Sequence, residues 1–180
     1  MFARTQRLLL RPVWPEDAEA LFAAINDERI VCNLARAPWP YTPEDAREFA
    51  ARAQDPFCPH YLLTLPGDAG QTLIGSCGLG RTDRGEVEIG YWIARDHWGR
   101  GYATEAARAV IANAWTLGHR RLVASHYIDN PASGAVLRRL GFVPTGTTRP
   151  RFSAGRGYEA MAQEYALESD MAEVERPLAA

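Results

Sequence analysis

Two glycines flank an arginine at Gly99-Arg100-Gly101, where an apolar, strand-like pattern gives way to an alanine-rich, helix-like pattern. The first amide N–H groups of a helix lack intrahelical partners and carry a partial positive charge. Glycine at such a junction lets an anion approach the backbone closely, because no Cβ stands in the way. The spacing therefore predicts a pyrophosphate-binding turn. A tight turn without a ligand fits the same residues.

Two familiar nucleotide-binding motifs do not fit this turn. A Walker A loop requires a lysine, and the chain contains none. The same absence excludes a lysine Schiff base and pyridoxal chemistry. A dinucleotide-binding fingerprint needs a third glycine three residues after the second, but Thr104 stands there. If the turn binds phosphate, its ligand belongs to another class.

A second polar motif, Asn130-Pro131-Ala132-Ser133, follows a strand pattern at residues 121–128. Asn130 is a good helix N-cap, and proline suits the first helical position. The apolar residues that follow have helical spacing, and Gly141 is a natural C-terminal stop. The sequence therefore predicts a short helix after Asn130.

The remaining pattern alternates between strands and helices, which predicts an α/β (α+β) fold. Strands are predicted at residues 7–13, 61–65, 73–80, 86–94, 121–128, 142–152 and 159–167, with a hairpin between the third and fourth. Helices are predicted at residues 15–26, after a Thr42 cap, at 103–117 and after Asn130. We expect one domain over residues 1–180, with a core at about 5–167 and a mobile tail at 168–180.

Composition narrows the class of protein. The chain has 180 residues and a formal net charge of −2, which fits one globular domain and does not indicate a nucleic-acid or membrane binder. Three cysteines without metal spacing indicate a reducing compartment, and the scattered histidines form no ligand cluster. The apolar run at residues 8–10 is too short for a signal peptide or membrane span. We expect a cytoplasmic monomer or homodimer without a metal and without direct nucleic-acid binding.

The two motifs, in this order, resemble the GNAT superfamily of N-acetyltransferases. The matching segments are Trp98-Gly99-Arg100-Gly101-Tyr102-Ala103-Thr104-Glu105-Ala106 and the asparagine motif with its helix ending at Gly141-Phe142. Residues 5–12 and Glu88-Ile89-Gly90-Tyr91-Trp92-Ile93 are similar to the ribosomal-protein N-terminal acetyltransferases (RimJ/RimL-like). The resemblance covers residues 5–167. It implies a mixed, partly antiparallel sheet of about seven strands, about four flanking helices, and an acyl-CoA site between two splayed middle strands.

The resemblance also implies acetyl-CoA as co-substrate and an amine as acceptor. In the family, the asparagine of the second motif contacts the pantetheine arm and the turn binds phosphate, with Arg95 or Arg138 as further phosphate partners. The implied cofactor-binding residues are Trp92, Ile93, Trp98, Gly99, Arg100, Gly101, Tyr102, Ala103, Thr104, Asn130 and Ser133.

Glu88 is the leading candidate for the catalytic base, because several family members carry a glutamate in this Glu-Ile context. Strand alternation places Glu86, Glu88, Gly90 and Trp92 on one face. A carboxylate beside a cleft can take the amine proton directly or through water. The alternative is that Glu86 and Glu88 form the solvated face of a half-buried strand.

Ser133 is the second catalytic candidate, since it matches the serine that the ribosomal branch carries near the CoA sulfur. Its hydroxyl can assist the leaving thiolate or, alternatively, cap the helix together with Asn130. The tyrosine that many family members use as general acid is replaced by Leu137. The glutamate that some ribosomal-branch enzymes carry after the Gly-Phe strand is also missing, since residues 149–152 read Arg-Pro-Arg-Phe.

The acceptor side is less defined. Trp39 and Tyr41 are the leading substrate-binding candidates, because prolines hold their loop rigid beside a helix start. Three functions remain open: acetylation of a protein N-terminal α-amine, acetylation of a small amine such as an amino acid, polyamine or antibiotic, or non-catalytic acyl-CoA sensing. For an enzyme, direct attack in a ternary complex needs no covalent intermediate.

Overall fold

The computed structural model describes residues 2–67 and 70–169. Its strands are β1 (Ala3–Arg4), β2 (Leu9–Pro12), β3 (His60–Gly67), β4 (Gly70–Arg81), β5 (Val87–Ile93), β6 (Arg121–Tyr127), β7 (Val143–Ser153) and β8 (Tyr158–Glu168). Its α-helices are α1 (Ala18–Ile25), α2 (Glu28–Val31), α3 (Pro43–Ala51), α4 (Tyr102–Thr116) and α5 (Pro131–Arg139). The predicted mixed α/β order is confirmed.

The strand order places the two middle strands, β5 and β6, at a gap in the sheet. The strands follow the order β1-β2-β3-β4-β5-β6-β8-β7, and β5 and β6 are parallel. Antiparallel β4 pairs along the whole of β5, from Val87 to Ile93. By contrast, β5 meets β6 at one register position, Glu88 opposite Val123. Beyond that position the strands part, which confirms the expected splay.

An apolar core covers each face of the sheet. One core contains α4 and the inner side of α5, with Leu63, Ile89 and Val110 among its buried residues. The other contains α1, α2 and α3, with Leu62 and Leu21 among its buried residues. Because successive side chains of a strand point to opposite faces, the neighbours Leu62 and Leu63 belong to different cores.

One strand and one α-helix of the described residues were not predicted. Strand β1 has only two residues, too few for an alternating pattern, and it brings the strands in the described ranges to eight. Helix α2 has four residues and begins at an Asp27 cap, whose carboxylate accepts the Arg29 N–H at 2.9 Å. It brings the α-helices in the described ranges to five.

Most boundaries of the predicted segments also differ from the observed ones, by one to three residues. The helix predicted at 15–26 begins as a 3₁₀ turn, Pro15–Asp17, because the Asp17 carboxylate bonds back to the Trp14 N–H at 2.8 Å and tightens the first turn. Arg11 forms two further hydrogen bonds to the same carboxylate. The last strand continues to Glu168, and residues 170–180 of the predicted tail lie outside the described residues.

Candidate active site

A continuous cleft of about 1070 Å³ passes through the gap between β5 and β6. On one face of the sheet it reaches the starts of α4 and α5, where Thr104 and Ser133 line it. On the other face it reaches α1 and α3, where Leu21 and Tyr41 line it. Two ligands, one on each face, can therefore meet at the gap beside Glu88.

The turn before α4 exposes its main chain to this cleft. Gly99 and Gly101 adopt φ of +72° and +81°, a region that favours glycine. A Cβ at Gly99 would have no neighbour within 4 Å, and one at Gly101 would meet only the Arg7 guanidinium, at 3.6 Å. Gly101 is the N-cap of α4 and no side chain caps the helix. The uncovered first turn therefore fits an anion.

A side-chain cluster from the β1–β2 turn holds this first turn of α4 in place. The Arg7 guanidinium donates to Glu105 Oε2 at 2.7 Å and to the Arg100 carbonyl at 2.9 Å. Thr5 Oγ1 donates to Glu105 Oε1 at 2.6 Å. Burial alone would raise the pKa of Glu105, but the hydrogen bonds from Thr5 and Arg7 lower it overall. Glu105 therefore stays ionised near the positive helix end.

The other predicted cofactor residues of β5 and of the α4 region line the cleft, but not all on the same face of the sheet. Ile93, Trp98, Tyr102 and Ala103 line the cleft, and the Trp98 indole N–H donates to the Ile93 carbonyl at 2.6 Å. Trp92 also lines the cleft, but it packs with the α1–α3 core on the opposite face from the turn.

The arginines expected at phosphate lie at different places. Arg100 is exposed and is not among the residues that line the cleft. Arg95 Nη1 lies 3.8 Å from the Asp27 carboxylate, and Arg138 Nη1 donates to the Tyr165 hydroxyl at 3.2 Å. In this geometry, the exposed main chain of the turn fits a pyrophosphate better than any of these arginine side chains does.

At the start of α5, the side chains of Asn130 and Ser133 make different contacts. Asn130 Oδ1 accepts the Ser133 N–H at 3.3 Å, so Asn130 is the helix cap. The Ser133 hydroxyl instead lies 3.0 Å from the Tyr91 hydroxyl, which is also 3.1 Å from the Ser133 carbonyl. Burial raises the pKa of Tyr91, so its phenol stays protonated. Tyr91, which was not predicted as a site residue from the sequence, projects from β5 on the face opposite Glu88.

Glu88 belongs to a three-residue cluster that spans the gap. Arg151 Nη2 donates to Glu88 Oε2 at 2.7 Å, and Arg151 Nη1 contacts both Glu88 Oε1 and Ser125 Oγ. Ser125 Oγ also donates to Glu88 Oε1 at 3.2 Å. The side chains of Glu88 and Arg151 are 17% and 32% exposed. Glu88 is therefore a paired carboxylate at the wall of the cleft, and its hydrogen bond raises the pKa of Arg151.

Neither Arg151 nor Ser125 was predicted as a site residue from the sequence. Arg151 comes from β7, 63 residues after Glu88, and Ser125 comes from β6, where the strands begin to part. A signal was present for Arg151, because it lies in the segment where relatives of the ribosomal branch carry a glutamate. Its partner was not visible in any local pattern.

On the acceptor side, Tyr41 and Trp39 are placed differently. Tyr41 is buried, lines the cleft, and has its pKa raised to about 12 by burial. Trp39 is half-buried against the α1–α3 core and is not among the lining residues. His60, also in the lining, lies with its Nε2 2.6 Å from Ser76 Oγ, and burial lowers its pKa to about 4. His60 is therefore neutral at pH 7.

Comparison with known proteins assigns the family. Residues 7–143 match the model of the acetyltransferase (GNAT) domain. An uncharacterized N-acetyltransferase, p20 of Bacillus licheniformis, is 31% identical over 157 residues, which cover 81% of this chain and 84% of p20. The ribosomal-protein-serine acetyltransferase of Escherichia coli is 39% identical over 61 residues, 33% of this chain and 34% of that protein.

A solved structure supports the same fold. RimL, the ribosomal L7/L12 α-N-protein acetyltransferase in complex with coenzyme A, matches with a TM-score of 0.75 and 21% identity, covering 94% of this chain and 99% of that one. The chain belongs to the GNAT family of N-acetyltransferases, and its relatives are consistent with the RimJ/RimL-like branch. It is therefore an acyltransferase.

Across residues 2–67 and 70–169, no helix combines the length and hydropathy that a membrane span requires. In the same ranges, no three histidine, cysteine or acidic side chains are grouped so that they could hold a metal ion.

Proposed function

We propose that this chain transfers the acetyl group of acetyl-CoA to a primary amine by direct attack in a ternary complex. The observation that carries the proposal is the continuous cleft, which joins the α4 turn on one face of the sheet to Glu88 on the other. A ternary complex requires both substrates to meet at one point, because proximity supplies much of the rate in such a reaction.

The residues on the α4 side fit acetyl-CoA. The uncapped amides of α4 and the bare Gly99 and Gly101 would hold the pyrophosphate. The amide of Asn130, at the start of α5, would contact the pantetheine arm. The sulfur would then lie near Ser133, whose hydroxyl is ordered by Tyr91 at 3.0 Å.

The chemistry divides between the two faces. The amine loses a proton to Glu88, directly or through water, and its nitrogen attacks the thioester carbonyl carbon. A C–N bond forms and the C–S bond breaks, with its electron pair leaving on sulfur. The thiolate is stabilised by the Ser133 hydroxyl and takes up the second proton, which the nitrogen loses as the amide forms, so that CoA leaves as the thiol. By analogy with cysteine, the CoA thiol has a pKa of about 8.5, so its thiolate is readily protonated at neutral pH.

Two classes of acceptor have separate support. The name of the Escherichia coli relative, a ribosomal-protein-serine acetyltransferase, supports an acceptor on a protein, which we take to be its N-terminal α-amine. A small amine is supported by the hairpin between β7 and β8, which is fastened to the loop after α2. Ser153 Oγ donates to the Leu34 carbonyl at 2.8 Å, and Arg156 Nε donates to the Cys32 carbonyl at 2.6 Å. Because Leu34 lines the cleft, this contact fixes one part of the cleft wall on the α1–α3 face and favours a small acceptor.

A CoA-release assay tests the proposal. The protein is incubated with acetyl-CoA and a panel of N-terminal peptides, polyamines and amino acids, and free thiol is measured. Calorimetric titration with CoA is run on the same preparation. We expect CoA binding together with acceptor-dependent thiol release. Binding without release for any acceptor would instead support a non-catalytic acyl-CoA sensor, and absence of binding would contradict the cofactor assignment.

A further inference from the structure

The ion pair between Glu88 and Arg151 occupies both oxygens of the carboxylate that faces the cleft. Nη2 binds Oε2 at 2.7 Å, Nη1 binds Oε1, and Ser125 adds a third donor to Oε1 at 3.2 Å. A bidentate guanidinium–carboxylate pair is among the strong hydrogen-bonded pairs in proteins. Arg151 and Ser125 thus occupy three of the four lone-pair sites of the Glu88 carboxylate, and release of Arg151 opens two of them to an amine proton.

Release of Arg151 calls for another anion. The pair is only partly exposed, and separating such a pair without compensation leaves a poorly solvated charge. The nearby carboxylate of Glu164 is not available for this purpose, because it bonds Arg84 at 3.0 Å and also pairs with Arg149. A carboxylate on the ligand is the remaining source. Arg151 is 32% exposed and lines the cleft, so a ligand can reach it.

We propose that the acceptor is a small zwitterion of the amino-acid class, whose carboxylate takes the place of Glu88 on Arg151 while its amine faces the released Glu88. The inference rests on the proposed acetyl transfer and names its substrate class. Adjacent opposite charges on the ligand match the adjacent opposite charges of the Glu88–Arg151 pair. The carboxylate of the ligand thus supplies the anion that frees the base.

This mechanism separates the two acceptor classes. The α-amine of a protein N-terminus has a neutral peptide group where a free amino acid has its carboxylate. Such an acceptor leaves Arg151 on Glu88. The loop after α2, which the β7–β8 hairpin holds in place and whose Leu34 lines the cleft, acts in the same direction, because it favours a short ligand.

Matched acceptors test the inference on the wild-type protein. Each standard amino acid is compared with its own primary amide, which keeps the side chain and the α-amine and removes only the negative charge. The α-amine of the amide is less basic than that of the free amino acid, so more of it is unprotonated at neutral pH. This difference by itself would make the amide the better acceptor, which is opposite to the expected result. For the amino acids that are acetylated, we expect kcat/KM at least about tenfold above that of the amide, equivalent to about 1.4 kcal/mol.

The other results overturn the inference in distinguishable ways. Equal or better use of the amides, or acetylation of a serine-initiated peptide without acetylation of any amino acid, contradicts the zwitterion and leaves acetyl transfer standing. No thiol release with any amino acid, amide, polyamine or peptide contradicts the proposed function, and with it the inference.

Variants of Arg151 test whether this residue is the source of the preference for the free acid over the amide. Arg151→Gln is expected to lower kcat/KM for the free acid by about tenfold or more, mainly through KM, and to reduce the preference for acid over amide. Arg151→Lys keeps the positive charge but loses the bidentate geometry of the guanidinium. Its kcat/KM for the free acid is expected to lie between the values for Arg151→Gln and wild type. Arg149→Gln is the matched control, because Arg149 lies on the same strand but is not among the residues that line this cleft.

Folding is checked by melting temperature on each preparation, because Arg151→Gln leaves Glu88 without its partner. An equal loss for acid and amide in folded Arg151→Gln would show a structural role and overturn the inference. The comparison of acids with amides on the wild type does not depend on the stability of any variant.

Discussion

The α4 turn and the Glu88 cluster lie along one cleft but are built in different ways. The turn uses consecutive residues from Trp98 to Glu105 and presents main-chain amides. The Glu88 cluster uses one side chain from each of β5, β6 and β7. A main-chain site depends on the absence of a Cβ at two glycines, whereas a side-chain site depends on charges that meet across three strands. Substitutions in the α4 turn should therefore act by covering the main chain, whereas substitutions in the Glu88 cluster should act by changing charges.

Removal of the base should have the largest effect. Glu88→Gln keeps the shape of the side chain but accepts no proton, and a general base typically contributes about 10²–10⁴-fold in rate. We expect a loss of that order in kcat at pH 7. The loss should shrink at high pH, where free amine becomes abundant. Steady-state assays across pH with the best acceptor measure it.

Glu86→Gln is the control for this substitution. Glu86 lies just before β5 and alternates onto the same face, where its carboxylate is 4.0 Å from Arg121. It does not line the active-site cleft. We expect near-normal activity from Glu86→Gln. Full activity of Glu88→Gln at neutral pH would assign the proton transfer to water or to another residue.

A Cβ in the α4 turn should have the next largest effect. Gly101→Val places a β-branched residue at φ +81° and covers the main chain that would hold the pyrophosphate. We expect the CoA Kd to rise by about tenfold or more, equivalent to about 1.4 kcal/mol or more. Calorimetric titration of the folded variant measures the change.

Gly118→Val separates lost binding from backbone strain. Gly118 follows the other end of α4, adopts φ +90°, and has open space around a Cβ. This control should cost stability, as a left-handed non-glycine residue does, by about 1–2 kcal/mol. It should leave CoA affinity unchanged. Equal CoA affinity in Gly101→Val and wild type would remove the turn from the cofactor site.

Loss of the Ser133 hydroxyl should have a smaller effect. Asn130 caps α5, so Ser133→Ala should change the melting temperature little, whereas Asn130→Ala should cost about 0.5–2 kcal/mol. Because the leaving thiolate needs only modest help at neutral pH, we expect a loss of about tenfold or less in single-turnover rate. A much larger loss without destabilisation would make Ser133 more important than Glu88.

The smallest effect at neutral pH should come from His60, which acts on the pH dependence of stability. His60 has a pKa lowered to about 4 by burial, against about 6.5 when unfolded. Its contribution is therefore complete above pH 6.5 and is lost as the pH falls through 4. His60→Gln does not titrate and can still bond Ser76. Between pH 7 and 4, the melting temperature of the wild type should fall more steeply than that of His60→Gln. Parallel profiles would contradict a buried, neutral His60.

Local patterns predicted most elements but not the shortest ones. Helices α4 and α5 were predicted close to their observed bounds, because an apolar stripe and a capping residue are both encoded within a few residues. Strand β1 and helix α2 were missed, since segments of two and four residues are too short to show a hydrophobic periodicity. The splay of β5 and β6 was implied by the family resemblance and not by any pattern in the strands.

By itself, the sequence determined the fold class, the bare glycine turn and the Asn130 cap. Each depends on groups close together in the chain, where backbone geometry and hydrogen bonding act over a few residues. Only the tertiary structure decided that Arg151 binds Glu88, that Ser125 joins them and that Tyr91 contacts Ser133. Those contacts depend on strand order and register, which place residues tens of positions apart within hydrogen-bonding distance.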